Sequence, residues 1–287
     1  MLRRPVVSIA LLLAVVGIID LVVLPSWWVV RDRSVLAAGP VPRTSYMRHA
    51  DPLGHPVSWV WTPIDSIAPV LACAVVLAED EQFFRSRALS REQLKHQMNA
   101  VLRAEFSVGY SGIGQQLARN LYLTPSRTPR RKAREYVLTV ALHEALSKQR
   151  ELELHLNVAE WGKGRWGVAA ASQAYLGVLP SDLPPSRAIV LASMLPAPRR
   201  ELAYAVGARA TARQEAIATK LWRASMLSDA AYGATLDRLR LWRSFARAGG
   251  SMSDAFAAVD SVMGRERSPD GLEPQALAST CDTSRRP

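Results

Sequence analysis

The sequence predicts a mainly α-helical protein, a helical domain tethered by an N-terminal transmembrane helix. Three observations predict it. Pro5 to Val30 is apolar apart from Asp20 and brief polar interruptions, and about 20 apolar residues are enough for a helix to cross a bilayer. From about Ser58 to Tyr204 apolar residues recur at helical spacing, the signature of helices with one buried face. Alternating apolar and polar runs, which would mark half-buried strands, are scarce.

Taken in order, Arg3 and Arg4 make residues 1–4 a cytoplasmic tip by the positive-inside tendency, and residues 5–30 are the anchor. Trp27 and Trp28 suit the aromatic belt at the far interface. A cleaved signal peptide is the competing reading, but the apolar run outlasts a usual signal core. Asp20 is costly in hydrocarbon unless it reaches an interface or is protonated. Residues 31–57, rich in Pro, Gly and charge, read as a linker or irregular edge. Residues 58–205 form the folded domain. Within it Val137, Leu138, Ala141, Leu142, Ala145 and Leu146 make one helical stripe, and "SRAIVLASML" reads as a buried helix. Residues 206–264 read as an extension of one or two basic amphipathic helices, and 265–287 as a polar disordered tail.

A chain of 287 residues, 49% hydrophobic, buries one sizeable core. Its formal charge of +11 suits any polyanion, including phosphate-bearing lipid. Nucleic acid is not the expected partner, because no aromatics interleave with the basic residues as a stacking platform requires. Cys73 lies in an apolar segment and Cys281 in the polar tail, so no disulfide framework or metal-ligand spacing is legible.

Candidate chemistry begins at "VVLAEDEQFF". Glu79 and Asp80 end a helix too apolar to be exposed, where a buried element meets a cleft or solvent. Taken alone, the pair fits a tuned carboxylate or an ordinary cap or ion pair. Downstream, "GYSGIGQQLARNLYL" sets Ser111, Gly112 and Gly114 before Gln115, Gln116 and Arg119. Such a turn is either an ordinary loop or a cradle for sugar or phosphate. "SRTPRRKAREY" then crowds Arg127, Arg130, Arg131, Lys132 and Arg134 around Glu135. A basic run is usually a solvated face, but beside this turn and an acid it suits a diphosphate.

Together "AEDEQFF", "GYSGIGQQLARNLYL", "RRKAREY", "KQRELELHLNVAEWGKGRWGVAAASQAYLG" and "LASMLPAPRR" resemble the peptidoglycan glycosyltransferases of family 51, between about Trp59 and Arg199. This is the transglycosylase domain of penicillin-binding proteins, and the likeness is to its monofunctional biosynthetic members. The resemblance implies a lysozyme-like fold that polymerises lipid II into β-1,4 glycan strands, inverting the donor carbon and releasing undecaprenyl diphosphate. It implies a single pass through the bacterial inner membrane, with the domain on the periplasmic side. Glu79 is then the catalytic base, Asp80 its support and Glu135 the second carboxylate, organising basic groups or a divalent cation such as Mg or Mn. No organic cofactor is implied. Ser111, Gln115, Gln116, Arg119, Arg127, Lys132 and Arg134 would bind substrate, while Asn157, Gly162 and Phe83 would be structural. The implied partners are lipid II, the growing strand, membrane lipid and other cell-wall synthesis proteins. The chain departs from the family pattern at Ser86, Ala88, Ser90, His96, Gly112 and His155. The alternatives are an inactive membrane-anchored scaffold that binds lipid-linked glycan, and a glycan-cleaving relative, disfavoured because cleavage has little use for a diphosphate-gripping cluster.

Overall fold

A computed structural model describes residues 3–51, 59–86, 111–126, 128–268 and 276–285. The expected helical character holds: the described residues form helices and one small antiparallel hairpin, Glu160–Gly162 (β1) with Arg165–Trp166 (β2). Ala88, Ser90, His96 and Arg127 lie outside the described residues.

The N-terminal helix is longer than the expected anchor. Arg3–Ile18 (α1) passes through a π-helical turn, Ile19–Val23, into Leu24–Ala37 (α2). Residues 8–37 form a helix long and apolar enough to cross a membrane, and it is almost unburied by protein. The expected linker is corrected in part. Helix α2 runs through residues 31–37, and Ser45–Ala50 (α3) is helical with its first turn capped by Thr44. Leu36, Val41 and Met47 are buried, because this stretch covers a second apolar cluster beneath the domain's helices rather than spanning open solvent.

At the centre lies Pro69–Glu79 (α4). Proline at its first position is pre-set for a helix start, and Val70 through Leu77 are all buried. Around it the chain continues as Ile113–Tyr122 (α5), Pro129–Ala145 (α6), Lys148–Val158 (α7), Val168–Leu176 (α8), Pro185–Met194 (α9), Glu201–Ala205 (α10), Ala208–Arg223 (α11), Asp229–Ala248 (α12) and Met252–Met263 (α13). Helix α9, the expected buried helix, is buried along its whole length, and both α9 and α11 pack against α4. The predicted stripe on α6 points inward at Leu138 and Leu142.

Two expectations for the C-terminal part are corrected. The segment 206–264 makes three helices, and Ile217, Leu221, Leu239, Trp242, Phe256 and Val259 join the same core as α4. Their apolar faces are buried against the domain, so they do not form a separate extension. The tail is ordered where it is described. Glu266 accepts hydrogen bonds from Ser186, Leu277–Thr280 (α14) packs on α4 with Leu277 buried, and Cys281 is disulfide-bonded to Cys73. Polar composition concealed two buried anchors, Leu277 and Cys281.

The bond closes a loop of 208 residues. Reduction, or Cys281→Ser, is therefore expected to lower unfolding stability by about 2–5 kcal/mol. Denaturant midpoints of the oxidised and reduced protein measure this, and equal midpoints would show that the tail staple contributes nothing.

Candidate active site

The site forms where α4 ends. Asp80 stops the helix in an extended conformation (φ −160°), leaving the last carbonyls of α4 to find donors elsewhere. Helix α11 supplies them: Lys220 Nζ donates to the Leu77 carbonyl at 2.9 Å and Arg213 Nη2 to the Ala78 carbonyl at 2.9 Å. Seven residues apart, the two cations share one face of α11. The same Arg213 guanidinium is ion-paired with Glu79 Oε1. The other Glu79 oxygen, Oε2, accepts from Gln116 Nε2 at 2.7 Å.

Gln116 begins a polar chain. Its Nε2 also donates to the Ser111 carbonyl at 2.9 Å. The Ser111 hydroxyl accepts from Lys132 Nζ at 3.0 Å, and Lys132 also donates to Gln115 Oε1 at 3.2 Å. Lys132 then pairs with Glu135, which Arg131 pairs from its other side. These i, i+3 and i, i+4 contacts follow from helical spacing on α6. Glu135 is only 1% exposed, so its charge stands on two cations rather than on water. Burial pulls the Lys132 ammonium below its usual value, against the opposing pull of Glu135. Six nominated residues, Glu79, Ser111, Gln115, Gln116, Lys132 and Glu135, are thus linked by hydrogen bonds.

The other nominated residues face elsewhere. Asp80 turns from Glu79 to the start of α5, where its Oδ2 accepts from Ile113 N at 3.2 Å. The N-cap residue there is Gly112, which has no side chain to cap with. A Cβ on Gly112 would stand 2.3 Å from Asp80 Oδ2. The departure to glycine therefore makes room for the carboxylate that does the capping. Burial pushes the Asp80 carboxyl up, opposed by the Ile113 N–H and by Lys148 and His143. Arg119 lines a polar cleft of about 530 Å³ with Gln116, Asn120, Glu160, Arg199 and Arg200. Arg134 points to the N-terminal helix, with its guanidinium 5.9 Å from the Trp28 ring centre.

The residues read as structural are placed so. Asn157 exchanges hydrogen bonds with the Thr62 backbone at 2.8 Å. Gly162 faces Tyr175, whose hydroxyl lies 1.7 Å from where a Cβ would be. Phe83 is buried in the core, and Ser86 donates to the Gln82 carbonyl. His155 is buried with neither ring nitrogen hydrogen-bonded.

Sequence reasoning missed Arg213, while Arg131, seen only as one of the basic cluster around Glu135, proves to pair with that carboxylate directly. Arg213 lies beyond the five blocks, and in sequence it is one cation among many on a basic helix. As for a metal, among the described residues no three His, Cys, Asp or Glu side chains converge. Glu135, expected to organise basic groups or a divalent cation, has an oxygen on each of two cationic side chains. These residues do not fit a resident divalent ion, and no step is derived through one.

Comparison with known proteins bears on the same residues. The sequence model of the family described as transglycosylase matches residues 49–222. The biosynthetic peptidoglycan transglycosylase of Aromatoleum aromaticum is 43% identical over 141 residues, 49% of this chain and 61% of that protein. That of Bordetella avium is 38% identical over 160 residues, 54% of this chain and 66% of that protein. That of Rhodopseudomonas palustris is 37% identical over 175 residues, 61% of this chain and 74% of that protein. The first two alignments thus span less than two thirds of those relatives' length.

His155 generates a pH prediction. Burial, aided by the charge of Arg119, lowers its pKa from 6.5 to about 4. Between those values the unfolded chain binds more protons, so the stability present above pH 6.5 is lost as pH falls towards about 4. The loss is on the order of 3 kcal/mol. Denaturant midpoints across this range are expected to fall for the native chain and to flatten for His155→Phe; equal slopes would contradict the assignment.

Proposed function

Because this chain belongs to the transglycosylase family, we propose that it is a peptidoglycan glycosyltransferase that extends glycan strands from lipid II. The observation that carries the reading is the polar chain itself. A carboxylate, Glu79, stands at one end, and a cationic group around Lys132, Arg131 and Glu135 at the other. Inverting transfer needs this polarity, with a base on the acceptor side and positive charge on the leaving-group side.

In the proposed step the acceptor sugar's 4-hydroxyl oxygen attacks the anomeric carbon of the donor. Glu79 takes the hydroxyl proton as the new carbon–oxygen bond forms. The bond from that carbon to the lipid diphosphate breaks, and its electron pair leaves with the diphosphate. Lys132 and Arg131 stabilise that charge, while Gln116 and Arg213 hold the base in its orientation. Asp80 supports the site by fixing the start of α5, which presents Gln115 and Gln116. Arg119 and the cleft beside Gln116 are the proposed seat of the sugars.

The setting supports the reading. The N-terminal helix, long and apolar enough to cross a membrane, suits a domain held at the bilayer where a lipid-linked donor resides. Arg3 and Arg4 before the span favour a cytoplasmic tip and an outward-facing domain. The Cys73–Cys281 bond suits an oxidising compartment.

The test is polymerisation of lipid II by the full-length protein in detergent, resolved by gel beside Glu79→Gln. The native chain is expected to make strands. The variant should fold with an unchanged melting midpoint and lose at least about 100-fold in kcat. Strands made equally by Glu79→Gln would remove Glu79 as the base. No strands from the folded native chain would leave the inactive lipid-glycan scaffold as the better account.

A further inference from the structure

Asp20 is the one acid in the first 30 residues, and a carboxylate within a membrane span demands a partner. It has two. Arg130 forks onto it, Nε to Oδ2 at 2.7 Å and Nη2 to Oδ1 at 2.6 Å. Arg134 pairs with the same carboxylate, and its Nε donates to the Asp20 carbonyl at 3.2 Å. That backbone contact belongs to the π-helical turn Ile19–Val23, in which the Leu24 N–H reaches back to the Ile19 carbonyl. π-Turns of this kind are rare and frequent at functional sites. Trp28, one helical turn further on, lies under Arg134 and stacks on Tyr122 at 6.2 Å.

The position along the span matters as much as the pairing. From Arg3 to Asp20 a helix rises about 25 Å, close to the roughly 30 Å of the hydrocarbon core. With Arg3 at one interface, Asp20 therefore stands near the other, at the level of the lipid head groups; Trp27 and Trp28, expected in the aromatic belt there, instead lie beyond it on α2, which packs against α6 of the domain, Trp28 on Tyr122. Both its partners are on the first two turns of α6, the helix whose other face carries Lys132 and Glu135.

Resting on the reading proposed above, we propose that Asp20 is a positioning residue for the lipid-diphosphate site. By clamping Arg130 and Arg134 to the span, it fixes the depth at which the Lys132–Glu135 end of α6 meets the head groups. The span is then a working part of the site, setting the height of the cations relative to a substrate held by its lipid in the same bilayer.

The test uses the full-length protein in phosphatidylcholine/phosphatidylglycerol vesicles and has two arms. The first measures the depth of a fluorophore on Ser126→Cys, an exposed residue just before α6, by quenching with spin-labelled lipids. The second measures KM and kcat for lipid II in the same vesicles. Asp20→Asn is expected to move the fluorophore away from the bilayer and to raise KM about ten-fold, with kcat within about two-fold. Asp20→Glu should restore both. If Asp20→Asn does not fold, Arg130→Gln, which cuts the clamp at an exposed side chain, should give the same shifts. An unchanged depth overturns the proposal, whatever the kinetics. Should the native chain make no strands, the function reading fails while the depth arm still decides the clamp.

Discussion

The end of the buried helix α4 is the constraint on which the site depends. Its residues are too apolar to sit anywhere but the core, so its last carbonyls emerge where water cannot freely serve them. Cations from α11 serve them instead, and one of these, Arg213, also takes hold of Glu79. The chain must then leave the helix, and Asp80, which makes that exit, caps the next described helix with its side chain. One helix terminus thus places Glu79, fixes its orientation and docks the element that supplies Gln115 and Gln116. The disulfide from the middle of α4 to the C-terminal tail braces the same helix from behind. Thr283 and Asp282 of that tail contact Glu81 and Arg85 just past the site.

Helix α6 is the second organiser, and it works through its two faces. Lys132 and Glu135 face inward to the polar chain that runs to Glu79. Arg130 and Arg134, one turn apart on another face, meet Asp20 of the long apolar N-terminal helix. A basic run that looks uniform in sequence is therefore divided by helical geometry into a group on the polar chain to Glu79 and a group on the N-terminal helix.

Much of this was legible beforehand, for identifiable physical reasons. A helix as apolar as "PVLACAVVLAE" has to be buried, so acids at its end had to mark a boundary. Helical spacing likewise assigned the inward face of α6. What stayed hidden depends on contacts between distant segments. Two cysteines 208 residues apart carry no pairing signal, and a polar tail conceals the few apolar residues that dock it. Gly112 reads as a lost side chain until Asp80 is seen filling its place. Arg213 and Lys220 share a helix face in sequence, but a seven-residue spacing of cations is ordinary on a solvated helix. Asp20 was visible as an anomaly, and only the arrangement of α6 beside the span supplied its partners.

On the proposed reading, Glu79 faces a cationic leaving-group site across a single polar chain and serves a direct displacement. The anomeric configuration of the linkage formed by the native chain tests it most directly. Nuclear magnetic resonance of strands made from donor with an isotopically labelled anomeric carbon would read it. Only β-linkages are expected from the α-linked lipid donor, one inversion for each bond made. Linkages that retain the α-configuration, or free reducing sugar in place of linked strands, would contradict it.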